Sequence, residues 1–264
     1  MSTGIMIECA GGMPAFVAAP ASGKAPVIVL LHERYGLVKH TKDLALRFAR
    51  EGFLCIAPDC FHKHPDQAAL HHGDVGYEMT DPESVHCIAA AIDALKDHSQ
   101  ADLARVAVMG VCQTGRHPLL FAADRPIAAA LVWYGAAQPR EWEVSRKYPR
   151  ALDDVIAEAD CPVFAAFGEA DHLISVADVR RFRDSLERRG KSFWVRLYPD
   201  APHGWLNDTM PGRYRHAQAE TAWTDQLAFL RLVLAPGYSP SRHFQHYEAD
   251  ISHGYDFSQN VRLE

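Results

Sequence analysis

The chain has 264 residues, of which 48% are hydrophobic and 23% charged, and a formal net charge of −6. That is enough apolar material for one sizeable core. The acidic balance, with no basic run or stripe, argues against a nucleic-acid partner, and no apolar run approaches the roughly 18 residues of a membrane span.

The N-terminal segment MSTGIMIECAGGMPAF has neither the basic n-region nor the apolar h-region of a signal peptide, so the cytoplasm is the expected compartment. The six cysteines, at 9, 55, 60, 87, 112 and 161, form no CxxC pair, and a disulfide framework is not expected. Two short segments, 5–9 and 15–19, flank Gly11–Gly12 and predict a hairpin. Apolar runs follow at 26–32 (PVIVLLH), 52–58 (GFLCIAP), 105–110 (RVAVMG), 128–134 (AAALVWY), 162–168 (PVFAAFG) and 192–198 (SFWVRLY). Most are continuous rather than alternating, as strands buried on both faces of a parallel sheet require. Between them the spacing predicts helices over 38–50, 82–97, 114–123, 176–189 and 213–234, the fourth stopped by Gly190. This order predicts an α/β fold, a mostly parallel central sheet flanked by helices on both faces.

Residues 61–81 show little periodicity and much His, Asp and Gly. They are expected to cross the C-terminal edge of the sheet, where ligands bind in such folds. His62, His64, His71 and His72 lack regular ligand spacing, which favours a solvated loop over a metal site. Residues 1–234 read as a single domain and 235–264 as an extension, packed on the domain or at a subunit contact. Leu263 and Glu264 resemble a vector-derived scar and are set aside. The sequence does not choose between a monomer and a homo-oligomer.

The segment richest in chemistry is Gly110-Val111-Cys112-Gln113-Thr114-Gly115. It follows one apolar run and precedes a helical segment. A nucleophile elbow needs this strand–turn–helix setting, because the nucleophile projects from a tight, strained turn. Gly110 is the small neighbour required two places before Cys112. Thr114, two places after, is larger than the glycine expected there, and Gly115 is expected to relieve part of the crowding. Cys112 also stands at a helix N-terminus, where the dipole favours an anion. Taken alone, the segment fits a buried core cysteine equally well.

Two later segments weigh against that plainer reading. Phe167-Gly168-Glu169-Ala170-Asp171-His172 places acids at the end of one strand, and Tyr198-Pro199-Asp200-Ala201-Pro202-His203-Gly204 places a histidine at the end of the next. Nucleophile, acid, histidine is the chain order of α/β-hydrolases. The expected triad is Cys112, His203 and Asp171. Glu169 is the alternative acid and His172 the alternative histidine. Asp171 and His203 are favoured because each lies just past its strand. Glu169 is expected to make a loop contact, and Asp200 to be a turn residue.

Up to about residue 234 the sequence resembles the dienelactone hydrolase family. The residues that carry the resemblance are His32-Glu33-Arg34-Tyr35-Gly36-Leu37, Ala57-Pro58-Asp59, the Gly110-Val111-Cys112 elbow, Gly168-Glu169-Ala170-Asp171 and Pro202-His203-Gly204. The resemblance implies that Glu33 pairs with the nucleophile and helps to activate it when substrate binds. The plainer reading of Glu33 is a local ion pair with Arg34. Tyr134 matches a pocket tyrosine, with core packing as its plainer reading. Family members acting on dienelactone hold the substrate carboxylate with arginines, one of them shortly after the catalytic histidine. Here that region reads Gly204-Trp205-Leu206-Asn207-Asp208, and 61–81 also lacks arginine. The clamp is therefore absent or rebuilt, with Arg213, Arg215, Lys63 or a histidine as candidates. Trp205 is expected to offer an aromatic wall to a less polar substrate, with Tyr35 and Tyr134 as further substrate contacts.

The expected activity is hydrolysis of a small ester or (enol-)lactone through a Cys112 thioester. Backbone N–H groups of Gln113 and of the loop near Arg34 are the expected oxyanion donors. Neither a metal nor an organic cofactor is expected. Three alternatives stay open: a non-catalytic or differently specialised protein on the same fold, a metal-dependent enzyme using the 62–72 histidines, and a redox thiol protein with Cys60 approaching Cys112 in space.

Overall fold

The computed structural model describes residues 3–239, 241 and 243–264; residues 1 and 2 of the N-terminal segment and 240 and 242 of the extension lie outside these. Among the described residues, nine strands form one sheet. They are β1 (Thr3–Cys9), β2 (Met13–Ala19), β3 (Ala25–Leu30), β4 (Leu54–Pro58), β5 (Ala101–Val111), β6 (Ala129–Trp133), β7 (Val163–Gly168), β8 (Phe193–Tyr198) and β9 (Gln245–Ala249). The order across the sheet is β1-β2-β4-β3-β5-β6-β7-β8-β9. Strand β2 runs antiparallel to β1 and β4, and every other pairing is parallel. The helices are α1 (Lys39–Arg50), α2 (Gln67–His72), α3 (Asp81–Asp93), α4 (His117–Asp124), α5 (Leu152–Glu158), α6 (Val176–Arg188) and α7 (His216–Val233).

Side-chain parity explains why the central strands are apolar throughout. In β3, Ile28 and Leu30 join Phe48 of α1 and Trp223, Leu227 and Leu230 of α7. Their neighbours Val27 and Val29 face the other way, onto Ile88 and Ala91 of α3. Strand β6 divides similarly. Leu131 and Trp133 share the α7 side, whereas Ala130 and Val132 pack with Leu120 of α4 and Ile156 of α5. With helices on both faces, no position in these strands is free to be polar. The fold is that of the α/β-hydrolases, as expected from the order of elements.

Local chemistry sets the helix boundaries. Thr80 and Ser175 each cap the helix that follows through a reciprocal capping box. Past Asp93 the chain tightens into three-residue turns, Leu95 to Ile92, Lys96 to Asp93 and His98 to Leu95, so α3 ends short of the expected 97. Helix α4 starts at His117 rather than 114 because Cys112–Thr114 forms a separate 3-10 turn. The short helices α2 and α5 and the edge strand β9 are absent from the sequence reading. Strand β9 is mostly exposed and polar, and carries no apolar run to mark it.

Candidate active site

The elbow is built by close backbone approach. A Cβ on Gly110 would lie 2.2 Å from the Thr114 carbonyl oxygen, and one on Gly115 would lie 2.7 Å from Gly135 Cα. Between these glycines Cys112 takes φ 57°, a left-handed conformation that costs a non-glycine residue about 1–3 kcal/mol. Thr114 does not crowd this turn. Its fully buried hydroxyl accepts from Val111 N at 2.9 Å and lies 3.0 Å from the His32 carbonyl, to which it can donate. The larger residue thus braces the elbow against the loop after β3.

Four parallel strands deliver the other groups to the same edge. Asp171, after β7, accepts from Leu173 N at 2.7 Å and Ile174 N at 3.2 Å through Oδ1. Its Oδ2 lies 2.8 Å from His203 Nδ1. An Nδ1–H donated to Asp171 leaves Nε2 facing Cys112 Sγ at 3.0 Å. Burial disfavours a charged His203, yet the charges of Asp171 and Cys112 and the hydrogen bonds to both hold its pKa well above the ordinary histidine value. Tyr134 packs edge-on against this imidazole, with ring centroids 5.3 Å apart.

The alternatives within each segment go elsewhere. Glu169 accepts from Asp200 N and from Ser252, which makes it a loop contact. Asp200 turns with φ 54°. His172 touches His203 ring to edge at 5.8 Å, and burial lowers its pKa.

Glu33 is buried and makes no ion pair with Arg34 among the described residues. Its carboxylate accepts from the Tyr134 hydroxyl at 3.1 Å and from Asn207 Nδ2 at 2.6 Å. Burial first, and then the nearby Glu33 and Cys112 charges, push the Tyr134 phenol well above its ordinary pKa, so it stays a neutral donor. His32 locks the same loop. Its Nε2 accepts from Cys60 N at 3.1 Å, which assigns Nδ1–H as donor to the Glu33 carbonyl at 2.8 Å. Burial lowers the His32 pKa, in keeping with this neutral tautomer. Asn207, four residues after His203, was not foreseen: the sequence reading looked there for an arginine and passed over a neutral donor.

Cys112 and His203 open onto a cavity of about 270 Å³ whose other walls include Tyr77, Met79, Gln113, Tyr148 and Leu173. Gly76–Met79 of the 61–81 excursion form one side, held by Gln113 Nε2 donating to the Tyr77 carbonyl at 2.5 Å. Arg34, Arg116, Arg140 and Lys147 bring positive charge to its lining and Glu78, Asp81 and Glu141 negative charge, with Lys147 paired to Glu78. Arg116 is buried; its Nη2 reaches the Arg150 carbonyl at 2.6 Å and Asp81 at 3.3 Å, while Nε and Nη1 have no hydrogen-bond partner among the described residues. A larger hollow of about 570 Å³ lies at the opposite end of the strands, near Arg105, Cys161 and Lys191, away from Cys112 and His203.

Several sequence expectations are corrected here. Trp205 is no substrate wall: it is fully buried against Trp133, Tyr134 and Tyr198, because the chain turns inward after His203. Tyr134 is likewise buried beneath His203 rather than exposed to the cavity. Tyr35 leans over Gly73 and sits 3.5 Å from Arg213 Nη1, outside the cavity wall. The cations at the cavity are not those proposed from the sequence. Arg213 bonds the Leu263 carbonyl at 2.5 Å, Arg215 bonds the carbonyls of Asp200, Gly212 and Tyr214, and Lys63 does not line the cavity. His62, His64 and His72 each pair with a nearby backbone carbonyl, and no group of three or more potential metal ligands occurs among the described residues. The Cys60 thiol hydrogen-bonds Cys87 rather than approaching Cys112.

A sequence model of the dienelactone hydrolase family matches residues 13–234. A Methylorubrum extorquens protein named "Putative carboxymethylenebutenolidase" is 31% identical over 220 residues, 81% of this chain and 74% of that protein. A Bradyrhizobium protein named "Probable 2-oxo-3-(5-oxofuran-2-ylidene)propanoate lactonase" is 25% identical, over 82% of this chain and 88% of its own length. Among solved structures, a "Putative Dienelactone Hydrolase" from Klebsiella pneumoniae superimposes with a TM-score of 0.77 at 26% identity, over 87% of this chain and 98% of that one.

Proposed function

Because the chain belongs to the dienelactone hydrolase family, we propose that it cleaves a small ester or lactone with Cys112 as nucleophile, His203 as general base and acid, and Asp171 as the group that orients His203. The observation that carries this reading is the line Cys112 Sγ, His203 Nε2, His203 Nδ1, Asp171 Oδ2, with separations of 3.0 and 2.8 Å, at the mouth of a small cavity.

His203 takes the Cys112 proton, and the sulfur attacks the substrate carbonyl. The backbone N–H groups of Gln113 and Arg34 hold the oxyanion; losing one such donor costs about 3 kcal/mol in barrier height. The tetrahedral adduct collapses to a thioester as His203 returns its proton to the leaving alcohol or enolate. Water, deprotonated by His203, then attacks the thioester and releases the acid. Asp171 fixes the imidazole tautomer and stabilises the imidazolium without taking the proton. Glu33 waits on Tyr134 and Asn207, two neutral donors that it can leave for the nucleophile when substrate enters. Thiolates are good leaving groups as well as good nucleophiles, which favours activated esters and enol lactones over amides. A carboxylate on the substrate would find Arg34 and Arg140 at the cavity wall, since Arg116 and Lys147 are paired with Asp81 and Glu78.

The test is product release from a panel of small enol lactones and aryl esters by the wild type and by Cys112→Ala. Hydrolysis that collapses to background in the variant supports the assignment. Hydrolysis retained by Cys112→Ala moves the chemistry to another group and overturns it.

A further inference from the structure

The residues after α7 lie beyond those matched by the family model, yet they reach back to the site. Strand β9 adds to the edge of the sheet beside β8, the strand that leads to His203. From there the chain crosses the end of β7. Ser252 donates to the Glu169 carboxylate through both its backbone N–H and its hydroxyl, the latter at 3.0 Å. Tyr255 accepts from Val176 N at 3.1 Å, anchoring the segment on α6. Asn260 Nδ2 donates to the carbonyls of Glu169 at 2.9 Å and Asp171 at 3.0 Å.

These contacts converge on the loop that carries Asp171. Glu169 is a buried carboxylate with no ion-pair partner among the described residues; its bonds come from Ser252 and from Asp200 N at 3.2 Å. It therefore ties together the acid loop, the histidine loop and the extension. Asp171 is held from two sides. Its carboxylate is fixed by Leu173 and Ile174 and its carbonyl by Asn260.

We infer that residues 245–260 form a strap that positions the active site, with Asn260 as the positioning residue that sets Asp171 against His203. The inference rests on the triad reading above. Asn260 contacts neither substrate nor reacting atoms and acts only through the Asp171 backbone. Slackening that peptide lengthens the Asp171–His203 bond and weakens the interaction that keeps the imidazolium charged. The imidazolium is then lost at lower pH, and turnover falls while substrate affinity does not.

The experiment compares wild type, Asn260→Ala, Asn260→Leu and Tyr255→Phe, each as the full chain. Readouts are kcat, KM, the pH profile of kcat/KM and the low-field proton resonance of His203 Nδ1–H. Both Asn260 variants are expected to lose about tenfold in kcat with KM within about twofold. Their alkaline limb moves down by about one pH unit, and the resonance moves or broadens away. Asn260→Leu keeps roughly the side chain's size, donates no hydrogen bond and adds no charge, so its matching Asn260→Ala separates bonding from packing. Tyr255→Phe loosens the strap on α6 only and leaves the limb and the resonance in place. An unchanged limb and resonance in the Asn260 variants, or equal shifts in Tyr255→Phe, would overturn the inference. The resonance needs no turnover. If wild type hydrolyses no ester but the resonance still depends on Asn260, the triad reading falls and the strap stands.

Discussion

Asp171 meets His203 across 2.8 Å with its other oxygen fixed by two backbone N–H groups, so an amide in its place keeps the shape and reverses the hydrogen-bonding sense. Asp171→Asn is expected to lower kcat by about 10⁴-fold, because the imidazole then turns its proton toward the nucleophile. The same change is visible in stability. The raised His203 pKa stabilises the folded state fully below about pH 6.5, where the unfolded histidine is protonated too, and this contribution disappears as pH rises through the folded value. The difference in melting temperature between wild type and Asp171→Asn should therefore be largest below that pH and shrink above it. Asn207→Ala leaves the buried Glu33 carboxylate with one donor fewer and should cost about 1–3 kcal/mol in chemical denaturation. The sequence made Cys112, Asp171 and His203 legible because each follows an apolar strand. Asn207 was not legible, because its partner lies 174 positions away, and a lone asparagine in a loop has no pattern.

At the scale of elements, the elbow makes the sharpest demand. Gly110→Ala would place a methyl 2.2 Å from a backbone oxygen in a turn that has no room to relax. The expected outcome is failure to accumulate folded protein, checked by soluble yield and circular dichroism. Thr114→Val keeps the volume and removes a hydroxyl serving both Val111 N and the His32 carbonyl, and should cost about 1–3 kcal/mol by denaturation. The expectation that Thr114 crowds the turn failed because size was weighed without the hydroxyl's partners. The buried strands were readable from continuous apolar runs, since both their faces are covered. Strand β9 was not, because a mostly exposed edge strand is specified by its pairing with β8 rather than by apolar residues. Trp205 was misassigned for a related reason: sequence gave its distance from His203 but not the inward direction of the chain.

For the molecule as a whole, two buried histidines set the response to acid. Burial, aided by the positive charge of Arg116, holds His117 down at about 3, and burial also lowers His32. The folded state then refuses protons that the unfolded chain accepts. Stability is full above the ordinary histidine value and falls as pH drops toward the folded one; His117 alone accounts for a loss of about 2 kcal/mol by pH 5. His117→Phe should flatten the melting temperature against pH between about 6.5 and 5. The two edges of the sheet, β1 and β9, come from opposite ends of the chain. Translation therefore delivers the elbow, the acid loop and the histidine loop before residues 245–260, and domains fold as they emerge. A nascent chain can bury its core while the loop around Asp171 is still slack. On the assignment proposed above, Cys112 would meet a fully positioned Asp171 and His203 only once residues 245–260 have been synthesised.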